Sequence, residues 1–329
     1  MGIEDHRPAR RARAAVIGGG TGLSVMLRGL KTLPLDLTAI VTVADDGGSS
    51  GVLRSEMHIP PPGDIRNVLL ALADVEPMLS KVLQHRFQSG SSLAGHSLGN
   101  LLLAAMKEIT GDFVLGIKEL SKVLAVRGRV LPASAQPIVL IGEYEDGSEV
   151  RGESQIPKSG KKIKRVRLDP PDAVPLEEAV EAIEEADAII IGPGSLYTSI
   201  IPNLIVPGIG TAVVRSEAVK IFVCNVMTQP GETDRYSVSD HVQALVQHVP
   251  GLALDYIVVN KGQISQEVLD RYAEKGSVPV QIDMDELSRT GARIIADHLV
   301  QVDTYLRHDT EKLSKQLLRI IHSWISGKR

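Results

Sequence analysis

Short apolar runs alternate along the chain with longer stretches in which apolar side chains recur every third or fourth residue. The two periods predict strands alternating with helices. "RAAVIG" (13–18) reads as a strand, with a helix from Gly22 to Leu30, and "LTAIVTVA" (37–44) as a second strand. From Asp64 to Leu124 the period turns helical through "IRNVLLALADV", "MLSKVLQHRF", "SLGNLLLAAMKEI" and "VLGIKELSKVL". That is too many helices for one crossover, so a helical layer is expected over about 64–125. Residues 136–168 read as a small antiparallel β insertion, because Asp146-Gly147 joins two alternating runs and "KKIKRVRL" alternates again. Strand–helix alternation then resumes: a helix at "LEEAVEAIEEA", strands at "DAIIIG" (187–192), "AVKIFVCNV" (218–226) and "LDYIVVN" (254–260), helices near 235–248 and 265–275, and a last helix capped by Asp309 or Thr310. Near-continuous apolar strands separated by helices predict an α/β fold, a Rossmann-like parallel sheet covered by helices on both faces.

Composition narrows the functional classes. With 43% hydrophobic and 23% charged residues the chain is that of a globular protein. Its net charge of -4 argues against general nucleic-acid binding, and 3% aromatic residues leave little for stacking bases. No apolar run is long enough to span a bilayer, and residues 1–12 read as a disordered basic tail rather than a signal peptide. The single cysteine, Cys224, lies in an apolar run, where a buried thiol in a reducing cytoplasm is expected. The basic residues Lys161, Lys162, Lys164, Arg165 and Arg167 read as a solvated strand face.

The candidate chemistry gathers at the strand exits, where open parallel sheets bind ligands. "GGGTG" (18–22) follows the first strand, and glycines before a helix let backbone N–H groups meet an anion. It is neither a dinucleotide fingerprint nor a P-loop, since Leu23 and Ser24 follow it; a tight packing turn explains it equally well. "DDGGSSG" (45–51) follows the second strand, with Asp45 and Asp46 as ligand readers and Ser49 and Ser50 as donors. "GPGSLYTS" (192–199) offers a second anion loop through Gly192, Gly194, Ser195, Leu196, Thr198 and Ser199, and two such loops suit a diphosphate. Asn225, Thr228, Gln229 and Asn260 stand at two further exits. In "PPPGDIRN" (60–67), Asp64 reads as a helix N-cap that could join Asp46 at a divalent cation, beside Arg66 and Asn67.

"GHSLG" (95–99) matches the nucleophile elbow of serine hydrolases letter for letter, yet no strand precedes it. His96, Ser97 and Asn100 read instead as a helix start lending donors to the ligand. No zinc spacing occurs.

Six stretches in order, "GGGTGLSVMLRGLK", "VTVADDGGSSGVLRSE", "PPPGDIRN", "LAGHSLGNLLLAAM", "GPGSLYTSIIPNLIVPGI" and "CNVMTQPGETDRY", resemble the gluconeogenesis factor family, the YvcK-like branch of the CofD-like superfamily, over about residues 14–312. The resemblance implies one α/β domain over 13–329. The related CofD enzymes are 2-phospho-L-lactate transferases, which move a phospholactyl group from a guanylyl diphosphate donor to a deazaflavin riboside with Mg²⁺. On that model Asp46 and Asp64 would be the catalytic and metal-binding carboxylates. The transferase counterpart of "GPGSLYTS" reads more like GPSNPxTS, and the "GHSLGN" and "MTQPGET" blocks are those of the gluconeogenesis-factor branch. Members of that branch are implicated in cell shape, peptidoglycan precursor control and growth on gluconeogenic carbon sources, and are similar in binding nucleotide sugars such as UDP-N-acetylglucosamine. The "RHDT" segment also resembles that branch, and its Arg307 reads as meeting a diphosphate or as a surface ion pair; Tyr272, on the helix after "DYIVVN", reads as stacking on a base or sugar or as packing its helix, and Thr310 is either a phosphorylation point or a cap.

Three functions are expected in this order. The first is a cytoplasmic, regulatory UDP-sugar-binding protein that needs no cofactor and acts through an unidentified protein partner or a homo-oligomer, with no nucleic acid. The second is an Mg-dependent transferase. The third is an NAD-dependent oxidoreductase, with Asp45 on a ribose hydroxyl.

Overall fold

A computed structural model describes residues 10–88, 90, 92–302 and 306–327. Seven parallel strands form the central sheet: β1 (Ala12–Gly18), β2 (Leu35–Val41), β3 (Arg129–Pro132), and, after the three strands of the insertion, β7 (Ala188–Ile191), β8 (Val219–Val223), β9 (Tyr256–Asn260) and β10 (Arg293–Asp297), in the order β10-β9-β8-β7-β1-β2-β3. The order reverses between β1 and β7, which are adjacent in the sheet, with Ile17 opposite Ile191. The insertion is a separate antiparallel sheet of β4 (Val139–Tyr144), β5 (Glu149–Arg151) and β6 (Ile163–Asp169), turning at Asp146-Gly147 as its sequence predicts. A last hairpin joins β11 (Val300–Val302) to β12 (Leu306–His308).

The two-residue period of a strand explains why this sheet is apolar on both faces. On β1, Ala14 and Val16 enter one core and Ala15 and Ile17 the other; on β7, Ile190 and Ile189 divide in the same way. The first core packs α1 (Gly20–Leu30), α3 (Gly63–Leu72) and α13 (Thr310–Gly327) on the sheet, through Leu23, Met26, Leu27, Ile65, Leu69, Leu313 and Leu317. Each such fully buried side chain contributes about 1.5–3 kcal/mol. The second core packs α7 (Glu177–Glu184), α9 (Ile209–Arg215) and α10 (Val238–His248) together with the insertion's Leu140, Tyr144 and Val166. Helix α13 presses on α1 at Gly29, where an added Cβ would lie 2.5 Å from the Thr310 carbonyl oxygen.

The helical layer comprises α3, α4 (Pro77–Gln84), α5 (Leu98–Thr110) and α6 (Phe113–Val123). Three readings are corrected. The Gly/Ser string is not a loop: α2 (Gly48–Met57) begins inside it, and Ser49 and Ser50 are buried. Asp64 is not a cap; Pro62 occupies that position, leaving the Asp64 carboxylate free to reach α1. Within "GPGSLYTS", residues Leu196–Ile200 form a single π-helical turn instead of an open loop. The edge strands β3 and β10 were not expected. Of the two caps considered for the last helix, Asp309 accepts from the backbone N–H of Lys312 at 3.0 Å.

Residues 1–9 of the expected tail lie outside the described residues; Arg10 pairs with Asp187 at 2.9 Å, and Ala12 already pairs in β1. The basic strand face is laced with ion pairs such as Lys162–Glu145 and Arg167–Glu149, both at 2.8 Å. Among the described residues no single helix is long and apolar enough to cross a membrane.

Candidate functional site

The loops after β1 and β7, the two strands flanking the reversal, line one cavity of about 490 Å³. Gly19, Gly20, Thr21 and Gly22 line it beside Pro193, Gly194 and Ser195, whose loop packs against theirs; Asn225, Gln229, Tyr272, Arg307 and His308 contribute the rest. Helix α1 opens into this space with Gly19, which has no side chain, at its cap position and no acidic residue of its own in its first turn. Its amino end therefore presents donors and partial positive charge to the cavity. The two loops are close: an added Cβ at Gly22 would lie 3.1 Å from the Pro193 carbonyl oxygen.

Buried Asn203 fixes the two loops to each other. Its Nδ2 donates to the Gly18 carbonyl at 3.1 Å and to the Ser199 carbonyl at 2.7 Å. Asn225 exchanges two bonds with Gly194, accepting from its N–H at 3.1 Å and donating to its carbonyl at 2.6 Å. Gln229 Nε2 donates to Ser195 Oγ at 2.6 Å. The Tyr272 hydroxyl accepts from the Leu306 N–H at 3.0 Å, tying β12 over the cavity. His308 bonds the Cys224 backbone, while its Nε2 is buried without a partner among the described residues; burial lowers it to about 4, so it is neutral. Cys224 itself is buried, and burial raises its thiol well above the usual range.

A carboxylate cluster adjoins the glycine loop. Asp64 accepts from the Gly20 N–H and is pushed up to about 6 by desolvation and then by the Asp45 charge, against the pull of Gly20, Arg66 and Asn67. Glu153, which opens the turn after β5, rises to about 8 through desolvation and the charges of Asp45, Glu232, Asp64 and Asp46. Asp46 is committed to the insertion, accepting from the Ser154 N–H at 2.8 Å. Behind the cluster, Arg66 donates to Asn100 Oδ1 at 3.0 Å, to Asn67 Oδ1 at 2.8 Å and to Ser97 Oγ. Ser49 Oγ takes a bond from Asn100 Nδ2 at 3.1 Å and pairs with His96 Nδ1 at 3.0 Å. Ser97 is fully buried and caps α5, so it is not an exposed nucleophile.

The remaining candidates stand apart from the cavity. Leu196 is in the core. Thr198 donates to Glu232 at 3.0 Å, and Glu232 is raised to about 7 by desolvation. Thr228 accepts from the Val278 N–H at 3.0 Å, and Asn260 closes a turn with Gly262. Gly192 packs its backbone near Val223, and Ser199, within the π turn, packs against Gly19 and Gly20 of the glycine loop. Asp45 and Ser50 lie together against Gly63. His308, Glu153, Glu232 and Asn203 escaped the sequence reading, although His308, Glu232 and Asn203 lie in the quoted stretches "RHDT", "MTQPGET" and "GPGSLYTSIIPNLIVPGI".

The family described as 2-phospho-L-lactate transferase CofD matches residues 14–300. The chain belongs to the CofD family. Within the CofD family it is 58% identical, over 94% of this chain and 96% of its relative, to a protein named gluconeogenesis factor from Halalkalibacterium halodurans. A protein of the same name from Bacillus subtilis is 55% identical, over 95% of this chain and 99% of the relative. A crystal structure of a UPF0052-family protein from Bacillus halodurans superposes with a TM-score of 0.91 at 58% identity, covering 94% of this CofD-family chain and 99% of that one.

Proposed function

We propose that this CofD-family chain is a regulatory protein that binds a nucleotide diphosphate sugar of the UDP-N-acetylglucosamine kind, and that it serves gluconeogenic growth and cell shape in the cytoplasm. The observation that carries the reading is the amino end of α1, Gly20–Gly22, lining a cavity at the sheet's reversal point, with the Gly20 N–H bonded to Asp64. Parallel sheets bind nucleotides there, and about 490 Å³ falls within the usual range of small-molecule sites. The diphosphate rests on the glycine loop, with Arg307 and Tyr272 facing the rest of the ligand. The name of the relatives supports the gluconeogenic role.

The second reading, an Mg-dependent phospholactyl transferase, is favoured by the carboxylates beside the glycine loop. Asp64 feels Asp45 more strongly than any other charge, and Asp45 and Asp46 each spend one oxygen on a backbone N–H, of Gly47 and of Ser154, so either can join Asp64 at Mg²⁺. Mg²⁺ often takes only one or two carboxylates, and among the described residues no group of three metal-ligating acids, histidines or cysteines converges. Bound there, the ion would neutralise phosphate charge.

Thermal melting with UDP-N-acetylglucosamine, NAD and GDP, each with and without Mg²⁺, tests the proposal. A ligand at 100 times its Kd adds about 2.7 kcal/mol. Saturable stabilisation by the UDP sugar without turnover is expected. Product formed from a diphosphate donor and a hydroxyl acceptor would establish the transferase instead.

A further inference from the structure

The opposite end of the same strands holds a second cavity, of about 880 Å³. It is built where the chain enters β1, where α1 turns into β2, and where the chain enters β3, so β1 and β2 run from this cavity towards the strand-tip site. Seven residues of strand separate the two ends by roughly 20 Å.

Five cationic side chains line it, against two carboxylates, in a chain whose net charge is -4. Two of the cations are already matched: Arg13 meets Glu185 at 2.7 Å, and Arg127 meets Asp74 at 2.8 Å. The other three, Arg11, Lys31 and Arg129, form no ion pair among the described residues. Lys31 is half-buried, and its ammonium donates to the Ala73 carbonyl at 2.5 Å. Its affinity for a proton is lowered by desolvation and by Arg127 and Arg28, with Asp74 opposing. Arg129 Nε donates to Thr38 Oγ1 at 3.1 Å. A concave surface with unmatched positive charge focuses its field on an anion, and guanidinium groups match phosphate oxygens in pairs. The hollow suits a small molecule better than a nucleic-acid strand, because the charge converges on one cavity and does not run as a stripe.

We propose that this cavity is a second, separate binding site for a small, multiply charged phosphate compound, held by Arg11, Lys31 and Arg129. It does not depend on what the strand-tip cavity binds.

The test is calorimetric titration with inorganic tripolyphosphate of the parent chain, of Arg11→Ala/Arg129→Ala, of Lys31→Met and of Arg307→Ala. Arg11 and Arg129 are exposed, so their truncation leaves the core intact. Saturable binding by the parent is expected, with a component weakened about tenfold or more by the double variant and by Lys31→Met and retained in Arg307→Ala. UDP-N-acetylglucosamine titrated into the double variant reads the strand-tip site independently. No saturable binding by the parent at millimolar tripolyphosphate overturns the proposal. So does weakening in Arg307→Ala with none in the double variant, which would place the anion at the strand tips.

Discussion

The carboxylate of Asp64, in the first turn of α3, accepts a hydrogen bond from the backbone N–H of Gly20, the first residue of α1. The donor end that would receive a phosphate thus already has a carboxylate beside it, one whose titration is moved to about pH 6. A phosphate arriving above that pH meets a negative charge at short range, worth on the order of a few kcal/mol near a protein surface. In buffer without divalent cations, Asp64→Asn should therefore tighten binding of UDP-N-acetylglucosamine by about tenfold at pH 8, and by less at pH 5. Calorimetric Kd values at the two pH values decide it; weaker binding by the variant at both would refute the arrangement.

Alanine at Gly19 and Gly22 should separate packing from binding. A Cβ at Gly19 would lie 2.5 Å from Asp64 Oδ2 and 2.8 Å from Thr42 Cγ2, inside contact distance of both. Gly19→Ala should lose about 1–3 kcal/mol of stability in denaturant titration. At Gly22 the nearest atom is 3.1 Å away in the Pro193 loop, so Gly22→Ala should be milder in stability while spreading the two loops and weakening the ligand.

Glu153 gives a pH-dependent signature. Its folded value of about 8 lies above the ordinary 4.5, so the folded chain holds a proton that the unfolded chain has released. Its contribution to stability therefore falls as pH rises from about 4.5 to about 8. His241, His248 and His308, all lowered by burial, act in the opposite sense as pH falls below about 6.5. The Glu153 effect is read as a difference: Glu153→Gln should gain in melting temperature over the parent at pH 8, and little at pH 5. An equal shift at both would show that the carboxyl is not perturbed.

The strands of the sheet's centre were legible because each is apolar on both faces. "AIII" of β7 and "YIVVN" of β9 have no polar face to disguise them. The edges were not: β3 is four residues ending in a proline, and β10 is only partly buried. Helix α2 was hidden by its composition, since Gly48, Ser49, Ser50 and Gly51 are poor helix formers; burial of both serines, with Ser49 bonded to His96 and Asn100, overrides that preference. The glycine loops could be read as a site, but their neighbours could not. Glu153 comes to Asp45 only because the insertion folds back over the second strand's exit, a contact between positions more than a hundred residues apart.

Thr198 and Ser195, three residues apart, should behave differently. Thr198 spends its hydroxyl on Glu232 inside the core, whereas Ser195 lines the cavity with Gln229. Thr198→Val should lose about 1–3 kcal/mol of stability with ligand Kd unchanged, and Ser195→Ala should weaken the ligand while melting like the parent. Reversal of the pair would put the ligand on the other side of the π turn.

The account stands most directly on where a nucleotide sugar sits. A crystal structure of the chain with UDP-N-acetylglucosamine should show its diphosphate against the backbone of residues 20–22, with the sugar or base beside Tyr272 and Arg307. Density for the ligand anywhere else, with the backbone of residues 20–22 meeting only water, would contradict it.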